Sequence, residues 1–309
     1  MGSQIDLQDE FTVLVTGFGP FKAAYPVNPS WEIARRLPSR LPASNHAPTP
    51  PQPSDPSSNP SPSPSPGPNL PSVRILVHPE PIRVNYETVR SLVPTLWDHD
   101  GRDDAGPPPP DAATPAGRRR IDLCLHIGMA GPRMFYNLER RGHRDGYNMP
   151  DVDGEICRDK ERRKDLGDDW VWAGVPPELE TDLDLGDVLN RWRQHKKLVN
   201  PVFSSARPVD FFFSFHPLAQ KDADLRISED AGHYLCDFIY FSSLAHLYKR
   251  NEYRRVAFLH VPCEASEQAL AQGTELTVNL IRALVESELS RQGEAEHRRG
   301  NKVAVEFRA

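Results

Sequence analysis

The sequence predicts an α/β fold, a three-layer α/β/α sandwich whose central sheet is mainly parallel. Two observations support this prediction. Short apolar runs with the length and composition of buried strands recur along the chain, at residues 11–15, 73–78 and 121–127. Segments with helical spacing of apolar residues alternate with them, and this β-α-β-α order is typical of a parallel sheet covered by helices.

The elements of the first half have recognisable boundaries. The first strand, FTVLV, ends at Gly17. Asn28 is a favourable N-cap and Pro29 suits the first position of a helix, which we expect to end by residue 38. The segment NYETVRSLVPTLWD, residues 85–98, has the spacing of a second helix, and the third strand, IDLCLHI, stops at a glycine.

The second half continues the same alternation. A helix is predicted over residues 185–197, strands over 209–215 (VDFFFSF) and 256–261 (VAFLHV), and a long terminal helix over 266–291. Ligand sites in such folds lie at the carboxyl ends of strands, which favours the segments that follow Gly17 and Gly128 and the residues around His260.

Two proline-rich segments interrupt this pattern, at residues 39–72 and 100–117. The chain contains 32 prolines, and these segments hold runs such as PSPSPSPGPNLPS and GPPPPDAATPAG. Such compositions bury too little apolar surface to offset their ordering entropy, so we interpret both as disordered insertions. What remains predicts a single domain within residues 1–309. A scaffold whose proline-rich loops recruit SH3 or WW domains is the alternative interpretation.

Composition and charge argue against several function classes. The formal net charge is −6, and no basic stripe interleaved with aromatic residues is visible, so we expect no nucleic-acid partner. No apolar run is long enough to span a membrane, and the N-terminus lacks the pattern of a signal peptide. The four cysteines are scattered and form no CxxC pair, which is typical of reduced thiols in the cytoplasm.

Two motifs suggest cofactors or metals only weakly. The loop TGFGPF contains a GxG, but it lacks a third glycine and Pro20 removes a backbone donor, so a dinucleotide or phosphate loop is disfavoured. Its aromatic residues, Phe18 and Phe21, either pack in the core or line a site. Pairs such as His143 with Cys157 lack the short spacing of zinc ligands, so we expect neither a metal nor a cofactor.

Cys236 is the residue on which function depends most. A lone cysteine is more often a small buried residue than a nucleophile. Here turn and cap formers precede it, and an apolar run with helical spacing follows, so Cys236 is predicted on the first turn of a buried helix. Free backbone N–H groups and the helix dipole favour a thiolate there. A nucleophilic cysteine also needs a histidine oriented by a third group, and His260 and Glu139 are candidates among many.

Four motifs resemble those of the pyroglutamyl-peptidase I (pyrrolidone-carboxylate peptidase) family. They are VLVTGFGPF with VNPSWEIARRL, HIGMAGPRMFYNLERRGHRDGY, ISEDAGHYLCDFIYFSSL and FLHVP, in that order along the chain. The sequences of these motifs are most similar to those of the eukaryotic members of the family. Compact family members lack the two proline-rich segments and parts of the region 157–223, whose role the resemblance leaves open as a lid or an edge decoration.

The resemblance implies a phosphorylase/hydrolase-like sandwich and a cytoplasmic cysteine peptidase that removes N-terminal pyroglutamate. The implied triad is Cys236, His260 and Glu139. The implied substrate-binding residues are Phe18, Phe21, Tyr234 and Met129.

The chain departs from the bacterial pattern at two positions. Bacterial members carry glutamine where Met129 stands and an arginine near Asn148, which implies a remodelled pocket. The resemblance implies pyroglutamyl peptides as partners, and a homo-oligomer is compatible with it. The alternative is a catalytically impaired relative that binds pyroglutamyl peptides without turnover.

Overall fold

The computed structural model describes residues 10–43, 70–98, 121–131, 133–198 and 223–306 of the chain. The strands are β1 Phe11–Gly17, β2 Arg40–Leu41, β3 Val73–Val77, β4 Leu123–Met129, β5 Phe135–Glu139, β6 Arg141–His143, β7 Glu178–Glu180, β8 Asp224–Ser228 and β9 Val256–Val261. The helices are α1 Pro29–Ala34, α2 Tyr86–Asp98, α3 Asp159–Leu166, α4 Leu185–Leu198, α5 Leu235–Lys249 and α6 Glu267–Glu306.

A seven-stranded sheet in the order β2-β3-β1-β4-β9-β5-β8 forms the centre of the molecule. β1 runs parallel to both β3 and β4, β4 runs parallel to β9, and β5 runs parallel to β8. Two pairs are antiparallel: β2 with β3, and β5 with β9. The predicted mainly parallel sheet is therefore confirmed, and β6 with β7 makes a separate two-stranded sheet.

Helices cover both faces of the sheet, as the sandwich prediction requires. Side chains of α1, α4 and α6 share one hydrophobic cluster with alternate residues of the central strands, including Leu125 and Leu259. Side chains of α2 and α5 share a second cluster with the intervening strand residues, including Cys124 and Phe258. Because successive strand residues point to opposite faces, His260 faces the second layer, the layer that contains α5 and Cys236.

Local sequence signals explain where the elements begin. Asn28 caps α1 as predicted: its side-chain oxygen accepts a hydrogen bond from the Ser30 backbone N–H at 3.1 Å, and Pro29 occupies the first turn. The predicted strand over residues 256–261 is observed at those bounds, and the terminal helix is longer than predicted, reaching Glu306. The predicted strand over 209–215 lies outside the described residues.

Some elements were not predicted, and some predicted loops are structured. β5 and β8 escaped prediction because both are short and carry polar residues, and β8 lies at the edge of the sheet. The described ends of the segment 39–72, interpreted as disordered, are ordered: Arg40–Leu41 pairs with β3, and Leu70 is buried in the first cluster. Apolar residues at these ends pack, which proline-rich composition does not indicate.

The region 157–223 contributes to the core over its described part. Trp192 of α4 is 0% exposed, lies in the first cluster and donates a hydrogen bond from its indole N–H to the Leu276 carbonyl at 2.8 Å. Trp170 and Trp172 are buried in the second cluster. Parts of this region therefore belong to the core of the domain. None of the described helices is both long and apolar enough to cross a membrane.

Candidate active site

Cys236 lies on the first turn of α5, as the sequence predicts. The preceding turn is fixed by Gly232, which has φ +86° and donates its backbone N–H to Asp230 Oδ1 at 2.8 Å. Tyr234 occupies the N-cap position and makes no side-chain capping hydrogen bond. The first-turn amides of a helix have no acceptor within the helix, so those at the start of α5 are available to an anionic group at this end of the helix.

Gly128 makes room for the thiol at the end of β4. A Cβ atom at this position would lie 2.8 Å from Cys236 Sγ and 2.7 Å from Cζ of Phe258. Contacts of this length do not occur between such atoms, so a side chain at this position would displace the sulfur or the ring. Because Gly128 is also the register partner of His260, the same backbone site fixes the approach of thiol and imidazole.

His260 is held by a carboxylate on the neighbouring strand. Its Nδ1 lies 2.7 Å from Glu139 Oε1, and the two side chains are 5% and 0% exposed. β5 is antiparallel to β9, and Asn137 is the register partner of His260. Glu139 follows Asn137 by two residues on β5, so its side chain lies on the same face of the sheet as His260. With Nδ1 engaged by the carboxylate, Nε2 is the nitrogen left for Cys236, whose side chain interacts with His260.

The pKa of the His260 imidazole reflects its burial and its contacts with Cys236 and Glu139. Burial lowers this pKa, but hydrogen bonding and charge interaction with Cys236 and Glu139 outweigh burial and raise the pKa to about 9. The Phe258 ring packs edge-on against the imidazole with centroids 4.8 Å apart, which restricts its rotation. At neutral pH the ring is therefore cationic and fixed in orientation.

The supporting contacts of Glu139 come from α5. The Tyr240 hydroxyl donates a hydrogen bond to the Glu139 backbone carbonyl at 2.9 Å, which ties β5 to the helix that carries Cys236. Among the described residues no group donates to the second carboxylate oxygen, Glu139 Oε2, although it is buried. The contact of the Glu139 carboxylate with the imidazole is therefore made through Oε1.

An aromatic group borders the start of α5. Phe21 and Tyr234 lie with ring centroids 6.2 Å apart, and Phe21 stacks on Tyr25 at 6.4 Å. Tyr86 of α2 contacts the Tyr234 ring edge-on at 6.2 Å and donates its hydroxyl to the Met149 carbonyl. The sequence did not indicate Tyr86, because its position on the first turn of a predicted helix gives no sign of what it faces.

The other two predicted pocket residues occupy different positions. Phe18 is 2% exposed and belongs to the second core cluster, so the packing interpretation that the sequence left open describes it best. Met129 is the last residue of β4, is 6% exposed and follows Gly128 directly. The structure therefore brings Phe21 and Tyr234 together, whereas Phe18 packs in the second cluster and Met129 lies at the end of β4.

The loop that carries Phe18 and Phe21 is anchored by the cap of α1. Asn28 donates its amide Nδ2 to the Gly19 carbonyl at 2.8 Å, and Ser30 Oγ accepts from the Phe18 backbone N–H at 3.0 Å. Both anchors are buried. The residues that start the helix therefore also hold the aromatic loop in place.

A cavity of about 580 Å³ opens beyond the aromatic group. Its lining consists of residues 144–148 and 154–161. The ring of Tyr147, which lines it, is tilted by 60° against the ring of Tyr86, with centroids 6.1 Å apart. Cys236, His260 and Glu139 do not line it, so this cavity is separate from the thiol and the imidazole. Asn148, where bacterial relatives are expected to have arginine nearby, is exposed on its wall.

The cysteines differ in their surroundings. Cys124 is fully buried, and burial raises the pKa of its thiol far above the ordinary range. The pKa of Cys157 is also raised, to about 12, by burial and by the nearby Asp159. Cys236 has the only thiol among the described residues for which an interaction with His260 is found. This contrast separates the candidate nucleophile from inert core thiols.

Comparisons with known proteins bear on this geometry. The model of the pyroglutamyl peptidase family matches residues 215–286, a span that contains Cys236 and His260. Human Pyroglutamyl-peptidase 1 is 25% identical over 255 residues, covering 82% of this chain and 80% of the human protein. The rat protein of the same name is also 25% identical, with the same coverage.

The resemblance to the pyroglutamyl peptidase family is confirmed. Among solved structures, pyrrolidone carboxyl peptidase from Pyrococcus furiosus superposes with a TM-score of 0.54 at 15% identity, covering 89% of this chain and 99% of that one. Pyroglutamyl peptidase I from Bacillus amyloliquefaciens gives a TM-score of 0.53 at 18% identity, covering 89% and 95%. At these identities the structures support the sandwich fold of the pyroglutamyl peptidases.

Proposed function

We propose that this chain is a cysteine omega-peptidase that hydrolyses the amide bond after an N-terminal pyroglutamyl residue of peptides. The observation that supports this best is the Nδ1 to Oε1 distance of 2.7 Å between His260 and Glu139, with Cys236 on the other side of the imidazole. A thiol, an imidazole and an orienting carboxylate form the constellation that acyl transfer requires.

In the first step the sulfur of Cys236 attacks the carbonyl carbon of the pyroglutamyl residue. A C–S bond forms, and the carbonyl π electrons move to oxygen, where first-turn amides of α5 stabilise the oxyanion. The imidazolium of His260 then donates its Nε2 proton to the leaving amine as the C–N bond breaks. The products are a free amine and a pyroglutamyl thioester on Cys236.

In the second step water replaces the peptide amine. Neutral His260 accepts a proton from water, and the resulting hydroxide attacks the thioester carbonyl. Collapse of the tetrahedral intermediate breaks the C–S bond, releases pyroglutamate and restores the thiolate and imidazolium. Glu139 stabilises the imidazolium in both steps and keeps Nδ1 engaged, as the third member of a triad does.

The aromatic group accounts for the preference for a lactam. Phe21 and Tyr234 offer apolar ring surface beside the thiol. A pyroglutamyl ring has no charged α-amine, so it enters such a site without desolvating an ammonium group, whose transfer out of water is costly. The four thiols of the chain are free, which suits activity in the reducing cytoplasm.

Turnover of a fluorogenic pyroglutamyl amide, compared with the matching prolyl amide, tests the proposal. Cleavage of the pyroglutamyl amide alone is expected, and Cys236→Ala should reduce kcat by at least about 10³-fold while the far-UV circular dichroism stays native. The matched control is Cys157→Ala, which removes a thiol away from the imidazole. Equal turnover in the Cys236→Ala variant and the wild type would refute the proposed nucleophile.

Selective alkylation provides an independent test of the same thiol. We expect iodoacetamide at pH 6 to label Cys236 first, because the thiolate is the reactive form and the pKa of Cys157 is about 12. Peptide mapping by mass spectrometry locates the label. Prior labelling of Cys157 or Cys124 would contradict the assignment, and a non-catalytic binder would show no selective labelling.

A further inference from the structure

Three side chains with metal-ligating atoms converge beside the start of α5. They are His143 at the end of β6 and Asp230 and His233 in the loop between β8 and α5. One ligand atom from each lies within 4.8 Å of the others, and this is the one such group found among the described residues. The two imidazole rings lie 4.9 Å apart between centroids, at an angle of 56°.

A buried carboxylate lies behind this group. Asp237 is 0% exposed, and its Oδ1 is 3.3 Å from His143 Nδ1 and 3.1 Å from the His143 backbone nitrogen. The same carboxylate accepts a hydrogen bond from the Tyr147 hydroxyl at 3.0 Å. A carboxylate that holds one nitrogen of an imidazole while the other nitrogen faces outward is the usual outer shell of a metal-bound histidine.

Both imidazoles of the group lie against this carboxylate. Within the part of the chain that the structure describes, Asp237 Oδ1 lies 3.3 Å from His143 Nδ1, and Asp237 Oδ2 lies 4.0 Å from His233 Nδ1. One buried side chain of α5 is therefore the common neighbour of the two rings.

The backbone around the three side chains is built for close approach. Gly146 has φ +105°, and a Cβ atom there would lie 2.8 Å from His233 Nδ1. Asp230 Oδ1 is held by the Gly232 N–H, which leaves the second carboxylate oxygen of Asp230 for a ligand. The lack of a side chain at Gly146 therefore lets the loop after β6 approach the His233 imidazole.

We propose that His143, His233 and Asp230 bind a divalent cation of the zinc class. Two imidazoles and one carboxylate suit zinc, and three protein ligands leave a fourth position for water. Ligand atoms of a tetrahedral zinc lie about 3.3 Å apart when the bonds are about 2.0 Å long. Asp230 and His233 lie in an exposed loop and need to close by only a small distance to reach this separation.

The bound cation would join β6 to the turn that precedes Cys236. It is distinct from the triad and does not depend on the proposed peptidase activity. The sequence did not indicate it, because His143 is separated from the other two ligands by most of the region 144–229. Only the fold of β6 against α5 brings them together, through contacts such as that between His143 and Asp237.

Zinc titration of the full chain tests the proposal. The titration uses a Cys236→Ser background, because the Cys236 thiol and the His260 imidazole would otherwise compete for zinc as a pair. Zinc is added against a chromophoric chelator, and one tight site per chain is expected. His143→Gln and His233→Asn should each weaken the zinc Kd by at least about tenfold, since loss of even an outer-shell partner has effects of this size.

The matched control is His78→Gln, which removes an imidazole that lies outside the cluster and leaves the zinc Kd unchanged if the proposal is right. Because His143 is partly buried, His233→Asn, on a half-exposed residue, keeps the test decisive if His143→Gln fails to fold. The proposal is overturned by absence of zinc binding, or by a His233→Asn Kd equal to that of the background. X-ray absorption at the zinc edge should report two imidazoles and no sulfur, and a sulfur ligand would also overturn it.

Discussion

At the scale of single residues, the protonation of His260 governs the proposed chemistry. Its pKa, raised to about 9 against burial by Cys236 and Glu139, keeps the imidazole cationic through neutral pH. Only the cation can donate the proton to the leaving amine. The stability that this raised pKa contributes is complete below the ordinary pKa of about 6.5 and is lost as pH rises through about 9.

The pH profile of kcat/KM should therefore fall on its basic side with an apparent pKa near 9. Glu139→Gln removes the anion that raises this pKa, so its basic limb should move to lower pH as kcat falls. Steady-state rates between pH 5 and 10 measure both effects, with folding checked by circular dichroism at each pH. A basic limb at the same pH in wild type and variant would show that Glu139 does not act on the imidazole.

Gly128 gives a second prediction at the residue scale. Gly128→Ala places a Cβ 2.8 Å from Cys236 Sγ, so the sulfur must move. A displacement of about 1 Å at a reacting atom costs about 10²-fold in rate, and we expect a kcat reduced to this extent. Gly293→Ala is the matched control, because a Cβ at that position meets nothing within 4 Å. Full activity of Gly128→Ala would mean that the site tolerates a shifted thiol.

At the scale of elements, the start of α1 both begins a helix and anchors the aromatic loop. Asn28 Oδ1 caps α1, whereas Nδ2 holds the Gly19 carbonyl. Serine is also a good N-cap but has no amide donor. The two roles of Asn28 can therefore be separated by substitution.

We expect Asn28→Ala to lower the free energy of unfolding by about 1–2 kcal/mol, because it removes the cap. Asn28→Ser keeps the cap and should lose less stability than Asn28→Ala, yet both variants should raise KM for a pyroglutamyl amide, since the loop loses its anchor at Gly19. Chemical denaturation and steady-state kinetics measure the two effects separately. A wild-type KM in both variants would show that this anchor does not position the loop.

At the scale of the whole molecule, the sequence predicted the three layers of the sandwich but missed β5, the strand that carries Glu139. Apolar runs such as VAFLHV are recognisable because they are buried on both faces. β5 was missed because Asn137 and Glu139 put polar groups on a buried strand, a local conflict that functional sites commonly carry. The roles of Cys236, His260 and Glu139 came from the family resemblance, since spacing alone left other histidines open.

The group of His143, Asp230 and His233 and the position of Tyr86 mark the limit of what the sequence could indicate. Both depend on which surfaces meet across the second layer, and no periodicity encodes that. The sequence left the role of residues 157–223 open for a similar reason. Nothing in the sequence shows what the tryptophans of this region contact, and Trp172 packs on Phe241 of α5 with ring centroids 4.9 Å apart. Long-range packing decided these outcomes.

The two layers should contribute to stability and activity separately, which is the last prediction. Leu280 of α6 is 0% exposed in the first cluster, across the sheet from Cys236. Leu280→Ala should lower the free energy of unfolding by about 2–5 kcal/mol through the lost burial and the cavity left behind. Because the triad faces the other layer, kcat/KM measured well below the melting temperature should stay at the wild-type value.

Leu166→Ala, at a residue 49% exposed, is the control and should change the free energy of unfolding by less than about 0.5 kcal/mol. A large loss of kcat/KM in folded Leu280→Ala would mean that the sheet transmits packing changes from one layer to the thiol in the other.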